Sequence, residues 1–260
     1  MAELESRLAQ ARSASSEELN SLVHEASEDL LLALLENPNL EEAHVRRLLD
    51  RLDLPSEVLG AIGGQGKWMA NESVRLGLAR HPHTPKLIAL AAARQLYLFD
   101  LVRLSLAPSA PGDIRRAAEG ILVTRVPQLP IGQKLTLARR GPARVAGALL
   151  AEGHGQVIKL ALQNTFLTES QVLKVLANAR VPERVVAAIA QHPKWSCQYN
   201  VRVALVRNPQ TPPPSVLAFL PDLTLRDLTD ISKIEGLPSH VRKYIEREMS
   251  RRGHAPGKRA

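Results

Sequence analysis

Apolar and polar residues alternate along this chain with the period of a helix. Leu, Val, Ile and Ala recur every three or four residues over short stretches, and Pro, Gly, Asn or Thr-Pro closes each stretch. "VIKLALQNTFLTESQVLKVLANARVPERVVAAIAQHP", residues 157–193, holds three such stretches in succession. A 3.6-residue period over about 9–13 residues predicts short amphipathic helices. Thr168 followed by Gln171 predicts a capping box. Pro182 falls where a first helical turn tolerates it, and Pro193 ends the helix before it. No run alternates β-branched with polar residues, so no strand is expected. The spacing gives about eight helices in each half of the chain.

The pattern repeats on a longer scale. "GKWMANESVRLGLARHPHTP" starts at Gly66 and "PKWSCQYNVRVALVRNPQTP" at Pro193, and 193 − 66 is 127. That offset continues without a gap in both directions. Between Leu30 and Ala118, 28 of 89 positions are identical to the residue 127 further on, whereas a chain this rich in Leu and Ala would match itself by chance at roughly seven or eight. Two tandem units follow, near 1–127 and 128–251, with a basic tail at 252–260. A short helix with one apolar stripe is marginal alone and must bury that stripe on a neighbour. Repetition makes the neighbours alike. The expected fold is therefore all-α: an α-solenoid, a right-handed superhelix of short helix-turn-helix repeats built from two duplicated units. The acidic residues 1–30 are expected to form a polar N-terminal cap.

The stretch "VRVALVRNPQTPPPSVLAFL" at Val201–Leu220 resembles the leucine-rich repeat variant, in which Val-Arg opens a helix, Asn-Pro ends it and Thr-Pro begins the next. "VRLGLARHPHTPKLIALAA" at Val74–Ala92 is similar, with His81 in the Asn place, and Val-Arg at this point also resembles HEAT-type, armadillo-like repeats. The likeness covers most of residues 30–220 and points to a bacterial family of helical-repeat proteins. It implies a fold and no particular activity. One relative of the variant carries a cysteine-bound iron–sulfur cluster. This chain has a single cysteine, so that feature does not transfer.

Composition narrows the chemistry. Only 3% of residues are aromatic, which leaves a core of Leu, Val, Ile and Ala. One cysteine, Cys197, excludes an internal disulfide and cysteine-based metal sites and is expected to be a small buried residue. No apolar run is long enough to cross a membrane, and a cytoplasmic location is expected. Net charge is +8, from 34 basic and 26 acidic side chains. Residues 1–60 hold 13 acidic and 5 basic side chains, a net of −8, so residues 61–260 carry 29 basic and 13 acidic, a net of +16. A basic surface attracts nucleic acid or acidic protein.

Candidate chemistry is sparse. "AIGGQGKW" at Ala61–Trp68 resembles a phosphate-cradling loop, but its first Gly and its hydroxyl are missing, and its copy "AIAQHPKW" has no glycine. A helix-to-helix turn is the expectation there. His81 and His83 could chelate a metal, yet Asn208 and Gln210 replace them in the second unit. His24–Glu25 is one isolated pair. No catalytic triad or nucleotide fingerprint occurs. The recurring residues Lys67, Trp68, Arg80, Lys194, Trp195 and Arg207 are the candidate binding residues. The tryptophans read first as seals between helices and second as binding anchors. Arg75 and Arg202 are expected to bond neighbouring turns or acids. Arg80 and Arg207 stand in last helical turns, where a cation meets the helix dipole. The expectation is a non-enzymatic scaffold without cofactor or metal that binds another protein. Nucleic-acid binding through a basic face is the alternative, favoured if Lys67, Arg80, Lys194 and Arg207 converge on one groove.

Overall fold

The computed structural model describes residues 2–178 and 180–253, and residues 254–260 of the basic tail lie outside them. The described residues are helical throughout, with no strand among them. They divide into two compact units, Met1–Thr124 and Arg125–Ala260.

The first unit contains α1 (Ala2–Ser13), α2 (Ser16–Leu22), α3 (Glu28–Leu35), α4 (Glu42–Leu49), α5 (Ser56–Gly64), α6 (Gly66–Met69), α7 (Glu72–Arg80), α8 (Lys86–Arg94) and α9 (Leu98–Leu106), and α10 (Gly112–Arg125) closes it. The second contains α11 (Ile131–Arg140), α12 (Ala143–Glu152), α13 (Gly155–Leu162), α14 (Glu169–Leu176), α15 (Glu183–Gln191), α16 (Pro193–Ser196), α17 (Tyr199–Arg207), α18 (Pro213–Phe219), α19 (Leu225–Ser232) and α20 (Ser239–Gly253). From α3 to α7 every helix begins and ends 127 positions before its counterpart in α13 to α17.

Among the described residues each unit holds ten α-helices, more than the about eight that spacing predicts. Two of the extra ones are the single turns α6 and α16, too short to show a period. α1 and α2 occupy the stretch expected as a polar N-terminal cap. They are regular helices anchored by buried Ala11, Ala14, Leu19 and Val23. A capping box starts α2: Glu18 N–H donates to Ser15 Oγ at 3.4 Å, and Ser15 N–H donates to Glu18 Oε2 at 2.8 Å. The box expected at Thr168 does not form. Thr168 is the N-cap of α14, but its hydroxyl pairs with Ser170 Oγ at 2.9 Å. The last helix also runs past residue 251, to Gly253.

Within each unit the helices pack in two rows. In the first, α1 lies on α3, α3 on α5 and α5 on α8, while α4 lies on α7 and α7 on α9. In the second, α11 lies on α13 and α13 on α15, while α14 lies on α17 and α17 on α19. The core between the rows is aliphatic, with Leu31, Leu48, Leu59, Ile62 and Leu78 in one unit and Val172, Val185, Ile189 and Leu205 in the other fully buried.

Buried amides fasten consecutive turns. Asn37 Nδ2 donates to the carbonyls of Ala11 (2.8 Å) and Ala14 (3.0 Å), and its Oδ1 accepts from Asn39 N–H (2.8 Å). Asn164 does the same to Ala138, Gly141 and Phe166 at 2.9, 3.0 and 2.7 Å. Asn208 Nδ2 donates to Leu176 O at 2.9 Å and its Oδ1 accepts from Gln210 N–H at 2.9 Å. The last carbonyls of a helix have no partner inside it. One amide supplies both a donor for them and an acceptor for the next turn. His81 imitates this with its ring. Nε2 donates to Arg51 O at 2.6 Å, and Nδ1 accepts from His83 N–H at 3.2 Å. These bonds fix the neutral tautomer with the proton on Nε2, and burial holds the ring's pKa below the usual histidine value.

Glycine in the phosphate-loop-like stretch has a packing reason. A Cβ on Gly63 would collide with Ile88 Cγ2 of α8. The counterpart positions hold Ala190 and Ser215. A larger residue on one helix is matched by a smaller one on the other.

Candidate functional site

The six candidate residues serve two purposes. Trp68 and Trp195, on α6 and α16, are 3% and 2% exposed, so both rings seal the core and neither presents a face to a partner. Trp195 Nε1 donates to Leu162 O at 2.9 Å, whereas Trp68 Nε1 is buried without a partner among the described residues. Lys67 and Lys194 lie over their own tryptophans, with Nζ 4.5 and 4.2 Å from the ring centroids. Both are cation–π contacts. Lys67 also donates to Leu40 O at 3.2 Å. Arg75 and Arg202 fasten the same short helices. Arg75 Nη1 donates to Met69 O (2.8 Å) and Ala70 O (3.0 Å), and Arg202 Nε donates to Ser196 O (2.6 Å). The recurrence of Lys-Trp and Val-Arg therefore has one cause: a single helical turn, unable to hold itself, is pinned from both sides.

Arg80 and Arg207 stand apart from these residues. Arg80 lines a cavity of about 490 Å³ between α4 and α7, with Arg46, Asp50, Glu72, Asp100 and Arg103. Ion pairs occupy it. Arg80 Nη2 is 3.3 Å from Asp50 Oδ1, and Arg103 Nη1 is 2.9 Å from Asp100 Oδ1. Glu72 Oε1 accepts from Tyr97 N–H at 3.1 Å. Deeper between the helices the Ser73 hydroxyl donates to Glu42, and that bond, then one from Asn71, keeps the Glu42 carboxyl below the usual range.

Arg207 lines the counterpart cavity, about 500 Å³, between α14 and α17. Its walls are Leu173, Leu176, Ala177, Val203, Ala204 and Pro209, with the amides of Asn200 and Asn208. Leu173 replaces Arg46 and Ala177 replaces Asp50. Arg207 has thus kept its place and lost its acid. It makes no hydrogen bond or ion pair among the described residues. Asp227 feels its charge only after hydrogen bonds from Thr224 and Tyr199, which do most to hold that carboxyl low. Neither Lys67 nor Lys194 lines the cavity of the arginine in its own unit, so neither unit gathers its candidate cations on one groove.

Two candidates change character. Cys197, expected buried, is exposed. It caps the C-terminus of α16, and its thiol donates to Lys194 O at 3.1 Å. A one-turn helix leaves its last residue on the surface. His81 and His83 are committed to backbone carbonyls, His81 to Arg51 O and His83 Nδ1 to Leu54 O at 3.2 Å. Glu25 of the isolated His-Glu pair bonds Arg7 at 3.1 Å. Among the described residues no group of three or more His, Cys, Asp or Glu side chains could hold a metal ion, and no helix is long and apolar enough to cross a membrane.

A third cavity, about 640 Å³, lies between α13 and α15. Its Lys159 and Arg184 escape motif reading because neither belongs to a recurring motif. The signal is in the differences between the copies. Lys159 stands where the first unit has Leu32, and Arg184 where it has Glu57.

Comparison with protein-family models, curated proteins and solved structures returns no match for this chain.

Proposed function

We propose that this chain is a non-enzymatic helical-repeat scaffold: an α-solenoid of two tandem copies that binds another protein. The shared helix boundaries and the recurring amide clamps support the duplication. One observation carries the function. Of two cavities at corresponding places, the one between α4 and α7 is lined by its own ion pairs, and the one between α14 and α17 is apolar with an arginine at its rim and no acid. An apolar recess beside an exposed arginine fits an aliphatic side chain followed by a carboxylate.

A photo-activatable side chain in place of Ala204, with the same group in place of Gly77 as control, tests this. The expected result is a discrete protein adduct at 204 that disappears when Ala177→Asp restores a partner for Arg207. Adducts with nucleic acid alone, or equal labelling at 77 and 204, contradict it.

Nucleic-acid binding is the second reading, favoured by charge. Residues 125–260 hold 21 basic and 9 acidic side chains, a net of +12, against −4 for residues 1–124. Affinity for duplex DNA that falls steeply with salt would support it.

A further inference from the structure

The second unit carries a further cavity whose charge has been reversed. Lys159 on α13 and Gln163, the residue that caps its C-terminus, lie four residues apart, and Arg184, Ala188 and Gln191 lie at i, i+4 and i+7 on α15. Residues at these intervals share one face of a helix, and α13 packs on α15. The two faces line the cavity together, and none of its lining residues is acidic. His192 lines it too, with an Nδ1 that is buried without a hydrogen-bond partner among the described residues. Glu152, which shares a neighbouring cavity with Arg184, is already engaged by Lys134.

Three of four counterpart positions in the first unit are acidic. Glu28 and Leu32 on α3, Glu36 at its C-cap and Glu57 on α5 correspond to Gly155, Lys159, Gln163 and Arg184. Over these four positions the charge goes from −3 to +2. Glu36 is not idle: its Oε2 lies 2.6 Å from Arg12 Nε on α1. The arginine survives in the second unit as Arg139 on α11, which packs on α13 as α1 packs on α3. Its acid has become Gln163, and Arg139 makes no hydrogen bond or ion pair among the described residues. Nor does Lys159 or Arg184. Three adjacent helices of one row, α11, α13 and α15, therefore each present a cation that no acid answers.

We infer that this row, centred on the α13–α15 cavity, is the seat for an acidic segment of a partner protein, whose carboxylates take the places that Glu36 and its neighbours hold in the first unit. The inference rests on the protein-binding reading above and names the partner's chemistry. Carboxylate is favoured over phosphate because the first unit seats a carboxylate on the counterpart arginine. No Phe, Tyr or Trp lines the cavity to stack a base.

The test uses the full chain and fluorescein-labelled peptides of four Glu-Glu-Leu triplets, with Lys-Lys-Leu peptides and a duplex DNA as comparators, read by anisotropy. The acidic peptide should bind. Lys159→Glu with Arg184→Glu should weaken it by at least about tenfold. Lys243→Glu with Arg247→Glu, an equal charge change on exposed positions of α20, should leave it within about twofold. Both double variants should keep the wild-type helical circular dichroism, because all four side chains are exposed. Equal weakening by the two variants, or no binding of the acidic peptide, overturns the inference. If Arg207→Ala weakens the peptide and the α13–α15 variant does not, protein binding stands and this seat is wrong. If duplex DNA binds more tightly than the peptide and the α13–α15 variant abolishes it, the partner class is wrong as well.

Discussion

The two units share a frame and differ in what fills its surface grooves. Where the first unit pairs Arg80 with Asp50 and Arg12 with Glu36, the second keeps both arginines, as Arg207 and Arg139, and replaces the acids with Ala177 and Gln163. The change is selective. Arg7–Glu25 persists as Lys134–Glu152, and the amide clamps persist at Asn37 and Asn164. Exposed ion pairs contribute little to stability, so dropping two of them costs the fold almost nothing and frees two guanidinium groups. Buried clamps are another matter, since losing one strands backbone groups away from water. The frame is held by what is buried, and the grooves are free to diverge.

Breaking the frame has the largest effect. Asn164→Ala leaves the carbonyls of Ala138 and Gly141 and the N–H of Phe166 without partners, and should destabilise the chain by about 3 kcal/mol in urea unfolding. Asn37→Ala should cost a similar amount, because its three bonds are the same. A clear difference between the two would show that the clamps are not equivalent. Next comes the α5–α8 contact. Gly63→Ala should cost about 2 kcal/mol through overpacking against Ile88, and Ile88→Ser, which copies the Ala190–Ser215 pair, should recover most of it. The tryptophans sharpen the comparison further. Trp195→Phe leaves Leu162 O unpaired, whereas Trp68→Phe removes a donor that has no partner, so the first should exceed the second by about 1 kcal/mol.

The smallest effect concerns pH. His81 must be neutral for Nδ1 to accept from His83 N–H, and its pKa in the folded protein lies below the unfolded value. A depressed pKa means that the unfolded chain binds the proton first. The stabilisation is therefore complete above the unfolded value, about 6.5, and is lost as pH falls from there through the folded pKa. His81→Asn, which imitates Asn208, should flatten that part of the urea-midpoint profile. An unchanged slope would assign the pH dependence to another group, with His192 the next candidate, since burial and then Lys194 hold its pKa low.

Much of the frame was legible in the letters. Helical spacing and punctuation gave an all-helical chain, because short amphipathic stretches leave no other way to bury their stripes. The single turns α6 and α16 were not legible, since four residues carry no period; that Arg75 and Arg202 bond neighbouring turns was expected, and the folded chain shows which turns those are. Thr168 shows the limit of motif reading: the capping-box letters are present, and the hydroxyl turns to Ser170 instead. The candidate residues illustrate a second limit. Recurrence selected Lys67, Trp68, Lys194 and Trp195, and in the folded chain both rings are buried and each lysine stacks on its own tryptophan. The groove residues Arg139, Lys159 and Arg184 are marked by divergence from Arg12–Glu36, Leu32 and Glu57, and only the helix pairing shows that those differences meet on one row.

Restoring the two missing acids tests the central claim most directly. Gln163→Glu with Ala177→Asp rebuilds the ion pairs of the first unit inside the second, on exposed positions. Titrated with the acidic Glu-Glu-Leu peptide, this variant should bind at least about tenfold more weakly than the wild type and unfold at the same urea concentration within about 0.5 kcal/mol. Wild-type affinity in the doubly restored protein would contradict the account.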